Sequence, residues 1–172
     1  MTDLRITTSE RATQNHVIAL IRERLPLYGY IGNLYEEENT NLREGTITAW
    51  LTSDERGKQK LTEDQARAAI RKLKEEIDAC STFDTLMQAS ENVYNRLRYS
   101  VSISQGPGLV NKAVRFIDWE HPEQNVFELA EEVSVKTNGV GDSEHRRPDI
   151  VVYVNGIALV VLELKRSGVP VS

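Results

Sequence analysis

The chain has 172 residues, which allows one compact unit, or one with a small appendage, and excludes a multi-domain motor. Its 40% hydrophobic and 27% charged residues are those of an ordinary globular chain, which excludes collagen-like, low-complexity and wholly disordered sequences. With 21 basic against 26 acidic residues the formal net charge is −5, so this is no electrostatic coat for nucleic acid and any nucleic-acid role must be local.

A single cysteine, Cys80, rules out an internal disulfide and a Cys-rich zinc site, and the three histidines are too scattered to read as metal ligands. The stretch Met1–Arg5 opens no basic-then-apolar leader, and no segment approaches the ~20 apolar residues of a membrane span. A reduced, cytoplasmic setting is the expectation.

In chain order, Val17, Ile18, Leu20, Ile21 and Leu25 recur at helical spacing, predicting an amphipathic helix over Ser9–Leu25 that Pro26 and Gly29 stop. A short apolar cluster at Thr46–Leu51, with Trp50, predicts another turn or two, ended by Gly57. Thr62 and Gln65 have the form of a capping box, followed by the stripe Ala66, Ala69, Ile70, Leu73 and Ile77. Leu86, Ser90, Val93 and Leu97 repeat the period in a third long helix. The charged run Arg71–Glu76 reads as a solvated helix face rather than a partner surface.

At Tyr99 the period changes to alternation. Val101 and Ile103, then Gly106-Pro107-Gly108, then Val110, Val114, Phe116 and Trp119 predict two strands and a turn. Asp118–Asn125 reads as a polar loop, Val126–Val135 as a third strand despite its glutamates, and Asn138–Glu144 as a loop. Ile150–Val154 and Ile157–Leu164 are almost wholly apolar and flank Asn155-Gly156, a strong hairpin signal. Both strands are expected to be buried on both faces, in a sheet covered by the preceding helices. Residues 1–98 are thus expected to be mainly helical and 99–172 mainly strands, within a single domain of class α/β or α+β. Its mixed central sheet is flanked by helices.

Charge in so apolar a setting needs a reason. Asp149 stands at the entrance of the first hairpin strand, and Glu163 and Lys165 stand at the end of the second. Two apart on a strand, Glu163 and Lys165 share a face, with Leu162 and Leu164 on the other. A two-residue Asn155-Gly156 turn places Asp149 opposite Leu162, on the wrong face. A three-residue loop with Gly156 as a bulge pairs Tyr153 with Ile157 and Asp149 with Val161, and brings the three charges to one face; this second register is the expected one. Two carboxylates and the backbone carbonyl of Leu164 suit Mg²⁺, a hard cation that takes oxygen ligands and keeps waters. Such a site supports phosphodiester hydrolysis, with Lys165 orienting the attacking water or offsetting charge. Arg146 and Arg147 are equally phosphate contacts and solvated gatekeepers, and His145 reads as a loop histidine. Taken alone, Glu-x-Lys is better explained by a strand end reaching water, with Asp149 an ordinary strand-start residue.

The joint pattern Pro148-Asp149, an apolar hairpin and Glu163-Leu164-Lys165 resembles the PD-(D/E)xK nuclease signature. More closely, Arg146–Leu159 followed by Val161–Arg166, with Ile117–Glu120, Pro122–Asn125 and Leu34–Asn41, resembles the N-terminal nuclease region of type I restriction endonuclease R subunits. The resemblance implies a restriction-endonuclease-like core that cuts double-stranded DNA, with Asp149 and Glu163 as metal-binding acids and Lys165 as the catalytic lysine. It implies methyltransferase and specificity subunits as partners, and cleavage coupled to ATP-driven translocation. Many relatives carry an acid on the first helix; Glu10 is the candidate, with Gln14 one turn on, although an acid in a first turn also suits the helix dipole. The sequence holds no G-x-x-x-x-G-K-[S/T] loop and stops soon after Lys165, so ATP hydrolysis is expected outside these residues and the chain reads as a fragment. A different class stays open: a non-catalytic docking module that binds the methyltransferase core without cutting.

Overall fold

The computed structural model describes residues 3–37, 41–57, 59–79, 86–136 and 145–164, and only the backbone at 3–10, 78–79, 86, 89, 136 and 145–146. In chain order the elements are α1 (Asp3–Arg24), β1 (Tyr28–Asn33), α2 (Glu44–Thr52), α3 (Glu63–Ala79), α4 (Leu86–Arg98), β2 (Val101–Ile103) and β3 (Lys112–Val114). They continue with a 3₁₀ turn (Pro122–Gln124), then β4 (Phe127–Glu131), β5 (Val135–Lys136), β6 (His145–Arg146), β7 (Ile150–Val154) and β8 (Ile157–Leu162). This is an α+β fold. It divides into two compact units, Met1–Leu42 with Val126–Ser172, and Arg43–Asn125.

The first unit is built on a four-stranded mixed sheet in the order β1-β4-β7-β8. β1 runs parallel to β4, and β4, β7 and β8 are successive antiparallel neighbours. The side chains of β7 alternate between two clusters, as a strand's period of two requires. Ile150 and Val152 pack with Ile18 of α1 and Leu129, while Val151 and Tyr153 pack on the other face with Leu34, Ala130 and Val133. β7 is therefore buried along its whole length, as its sequence predicts. Leu129 is fully buried beneath α1. Leu129→Ala is expected to cost about 2–5 kcal/mol of stability in a urea titration, the loss of a core leucine with partial collapse of the space it leaves.

β8 departs from expectation. It is an edge strand, and Leu159, Val160 and Val161 are 40–57% exposed. An apolar run alone does not distinguish a central strand from an edge, because position in the sheet is set by long-range pairing. β1 was absent from the predicted elements, since Gly29 and Gly32 dilute its β signal and its partner lies about a hundred residues away. The expected strand Val126–Val135 is broken at Glu132, whose φ of 54° is left-handed.

The second unit packs α2, α3 and α4 with the β2–β3 hairpin. The Thr62 capping box forms as predicted: the Gln65 N–H donates to Thr62 Oγ1 at 3.3 Å and the Thr62 N–H to Gln65 Oε1 at 3.1 Å. Ala66, Ala69, Ile70 and Leu73 are then buried, as are Ile47, Leu51, Val101 and Phe116 of the same unit. In the charged run on α3, Lys74 pairs with Glu44 and Glu76 with Arg96, half-exposed ion pairs of little stabilising worth. Gly57 lies flat against Trp50, with φ 61°, and a Cβ there would stand 2.8 Å from Trp50 Cζ2. Gly57→Ala is expected to destabilise this unit by about 1–3 kcal/mol, measured as an earlier urea midpoint, through overpacking and left-handed strain. Among the described residues no helix is long and apolar enough to cross a membrane.

Candidate active site

The β7–β8 turn is tighter than the three-residue loop expected from sequence. Val154 pairs with Ile157, and Asn155 (φ 51°) and Gly156 (φ 83°) make a two-residue left-handed turn. The buried Asn155 explains the choice: its side-chain Oδ1 accepts from the Val126 N–H, and its own N–H donates to the Val126 carbonyl, both at 2.7 Å. The turn is thereby clamped to the start of β4. The extra residue is absorbed further along, because Tyr153 pairs with Ala158 but Val152 pairs with Val160, leaving Leu159 as a bulge. That slip changes which residues share a face. Ile150 faces Leu162 as the last pair of the ladder and Val161 faces Val151 rather than Asp149, so Asp149 and Glu163 each stand one residue beyond that pair. The expected register is wrong in its pairs.

At this mouth Asp149 is partly buried and Glu163 exposed, while Leu162 and Leu164 turn toward the Ile18 cluster under α1. Asp149 Oδ2 accepts the Leu164 N–H at 2.6 Å, tying the acid to the backbone of the Glu163-Leu164 segment. Among the described residues Asp149 Oδ1 carries no hydrogen bond. No three His, Cys, Asp or Glu side chains gather there as a metal-binding group among the described residues. Lys165 and the side chains of Glu10, His145 and Arg146 lie outside the described residues. Arg147 is exposed, with its guanidinium 4.3 Å from the centre of the Tyr35 ring, a cation–π contact that steadies a planar donor fork at the surface.

A second group of residues adjoins the first, of which the sequence singles out only Gln14, one turn on from Glu10. Glu131, at the end of β4, is 4% exposed. Its carboxylate accepts from Arg11 Nη2 at 2.9 Å, from Gln14 Nε2 at 3.1 Å and from the Tyr30 hydroxyl at 2.8 Å. The same Gln14 nitrogen donates to the Asp149 carbonyl at 2.9 Å, and the Glu132 N–H reaches that carbonyl at 3.3 Å. The inner stripe of α1 is thus Gln14, Val17, Ile18 and Ile21, whereas the expected Leu20 and Leu25 are exposed. The available signal was Gln14's own position, four before Ile18 and seven before Ile21; a polar residue on an apolar stripe needs a partner.

Burial raises the pKa of Tyr30 above its ordinary 10.0, helped by the hydrogen bond to Glu131 and by that acid's charge. A raised tyrosine pKa favours folding while the phenol is neutral. The contribution is present below about pH 10 and is lost as pH rises through the folded-state value. Urea denaturation at about pH 8 and about pH 11 should therefore show a larger alkaline loss for the native chain than for Tyr30→Phe.

Residues 7–172 match the family model described as the N terminus of the type I restriction enzyme R protein. Three relatives carry names of that kind. The chain is 34% identical over 60 residues to a putative type I restriction enzyme MjaVIIIP endonuclease subunit of Methanocaldococcus jannaschii, covering 35% of this chain and 5% of that one. It is 30% identical over 115 residues to the type I restriction enzyme HindI endonuclease subunit of Haemophilus influenzae, covering 59% and 11%. It is 37% identical over 57 residues to the type I restriction enzyme SsaAORF53P endonuclease subunit of Staphylococcus saprophyticus, covering 33% and 6%. The chain thus spans about a tenth or less of the length of these relatives. No solved structure matches it. Because the family match runs from residue 7 through the hairpin that carries both acids, the chain belongs to the type I restriction enzyme R protein N-terminal family.

Proposed function

We propose that this region is the Mg²⁺-dependent endonuclease domain of an R subunit, hydrolysing phosphodiester bonds of double-stranded DNA in the cytoplasm. Its partners are the methyltransferase and specificity subunits, and ATP is used by a motor outside these residues. The observation that carries the reading is the bond from the Leu164 N–H to Asp149 Oδ2, which ties one acid to the backbone next to the other at the open end of the β7–β8 hairpin. Two carboxylates and the Leu164 carbonyl are an all-oxygen donor set, which fits a small hard cation that keeps several waters. Glu10, on α1, is the candidate for a further acid. The bound cation would supply electrophilic assistance to the scissile phosphate and acidify a water.

The chain's own residues do the rest. Asp149 and Glu163 hold negative charge at the hairpin mouth, and the Leu164 N–H keeps one Asp149 oxygen from rotating away. Lys165, next along the chain, offsets charge developing on the phosphate. Arg147, braced on Tyr35, and Arg146 anchor a backbone phosphate; such contacts position DNA without reading its sequence. The test is a calorimetric titration of the chain with MgCl₂ and MnCl₂. Asp149→Ala and Glu163→Ala are each expected to weaken binding by about tenfold or more, since affinity follows the number of charged ligands. Unchanged affinity in both variants would leave a docking module as the better reading.

A further inference from the structure

We infer that Gln14 is a positioning residue for the acid pair, acting through the main chain of Asp149 to set the divalent-cation affinity of the β7–β8 mouth. This rests on the proposed function. Asp149 lies one residue before β7, where the regular ladder has ended. Its peptide plane is held instead by two bonds to its carbonyl, at 2.9 Å from Gln14 Nε2 and at 3.3 Å from the Glu132 N–H. The Glu132 bond is the longer one and comes from a left-handed residue. Gln14 therefore bears most of the restraint.

The Gln14 amide has only one workable orientation. Its side chain is buried, and both atoms it faces, Glu131 Oε2 and the Asp149 carbonyl oxygen, are acceptors. A flipped amide would set oxygen against oxygen in a site closed to water. Arg11 and Tyr30 hold Glu131 from the other side, whereas the bond from Gln14 to the Asp149 carbonyl is made directly and does not pass through them. A turn of the Asp149 peptide plane would swing its carboxylate away from the Leu164 N–H and from Glu163. Outer-shell partners of metal-binding side chains typically govern affinity by about 10–100-fold.

Calorimetric titration of the chain with MnCl₂ tests this on four variants, each checked for native near-ultraviolet circular dichroism. Gln14→Met keeps length and suits the apolar stripe, and it is expected to weaken Mn²⁺ binding by about tenfold or more. Gln14→Asn, whose amide falls a methylene short, gives the same readout should the apolar variant not fold. Arg11→Met loosens the network but leaves the bond from Gln14 to Asp149, and its affinity is expected to stay within about twofold of wild type. A merely structural role would lower stability in all three and leave the affinity of the folded chain alone. The inference fails if the Gln14 variants bind within about twofold of wild type, or if Arg11→Met weakens binding as much as they do. Asp149→Ala separates the two levels: if it leaves Mn²⁺ binding intact the metal-site reading itself is wrong, whereas its loss beside unaffected Gln14 variants removes only the role of Gln14.

Discussion

Asp149→Ala, introduced into the full-length R subunit, is expected to lower DNA cleavage by about 10³-fold while ATP-driven translocation continues. Stabilising transition-state charge on a transferring phosphoryl group through a bound cation is worth several kcal/mol, and each 1.4 kcal/mol is about a factor of ten. Removing one of two carboxylates from the mouth of the hairpin forfeits most of that. Lys165→Ala is expected to lower cleavage by about 10²-fold or more, the cost of deleting one preorganised charge from a site that stabilises an anion. Translocation measured in the same preparation reports whether the subunit is folded and assembled. Cleavage at the wild-type rate in Asp149→Ala would refute the catalytic assignment, because no folding defect can mask retained activity.

Glu131→Ala is expected to destabilise the first unit by about 3 kcal/mol, seen as a lower urea midpoint at unchanged slope. The side chain of Glu131 is 5% exposed and accepts three hydrogen bonds, so its removal strands the donors that surround it. The buried Gln14 amide would lose a partner at about 1–3 kcal/mol, and the Tyr30 hydroxyl less, because Tyr30 is 37% exposed and water can replace the lost bond. Arg11, with a side chain 45% exposed, rehydrates and adds little. Glu131→Gln retains an acceptor for one donor and should lose about half as much. A loss under about 1 kcal/mol for the alanine variant would mean that water reaches the network.

The local grammar of the chain was legible wherever the deciding contacts are near in sequence. The Thr62–Gln65 box and the stripe Ala66, Ala69, Ile70 and Leu73 depend on neighbours three and four residues apart, and they form as read. The β2–β3 hairpin and the break at Gly106-Pro107-Gly108 follow from backbone preferences of the same short range, with Gly106 and Gly108 both at positive φ. The hairpin at Asn155-Gly156 was equally plain, but its register was not. A three-residue loop and a two-residue turn with a later bulge differ little in local energy. The bonds between Asn155 and Val126, some thirty residues apart, decide between them.

The candidate site divides in the same way. Asp149 and Glu163 stand out because a carboxylate at the end of an apolar strand is costly without a purpose, and that argument needs no coordinates. Glu131 and Tyr30 carry no such mark, one a glutamate in a glutamate-rich segment and one a tyrosine between glycines, and Gln14 shows only as a polar residue on an apolar stripe, with nothing to name its partner. They meet only because β1 joins the sheet in parallel beside β4 and α1 lies across both strands' side of the Ile18 cluster.

The amino-acid order by itself determined the helices, the apolar hairpin and the presence of two acids at its open end, because periodicity and the cost of burying charge act residue by residue. Tertiary structure alone decided that β8 lies at the sheet's edge, that Leu159 takes up the extra residue, and that a glutamine on α1 grips the carbonyl of Asp149. Those outcomes depend on pairings from about thirty to more than a hundred positions apart, where small differences in packing energy choose among arrangements that the local sequence allows equally.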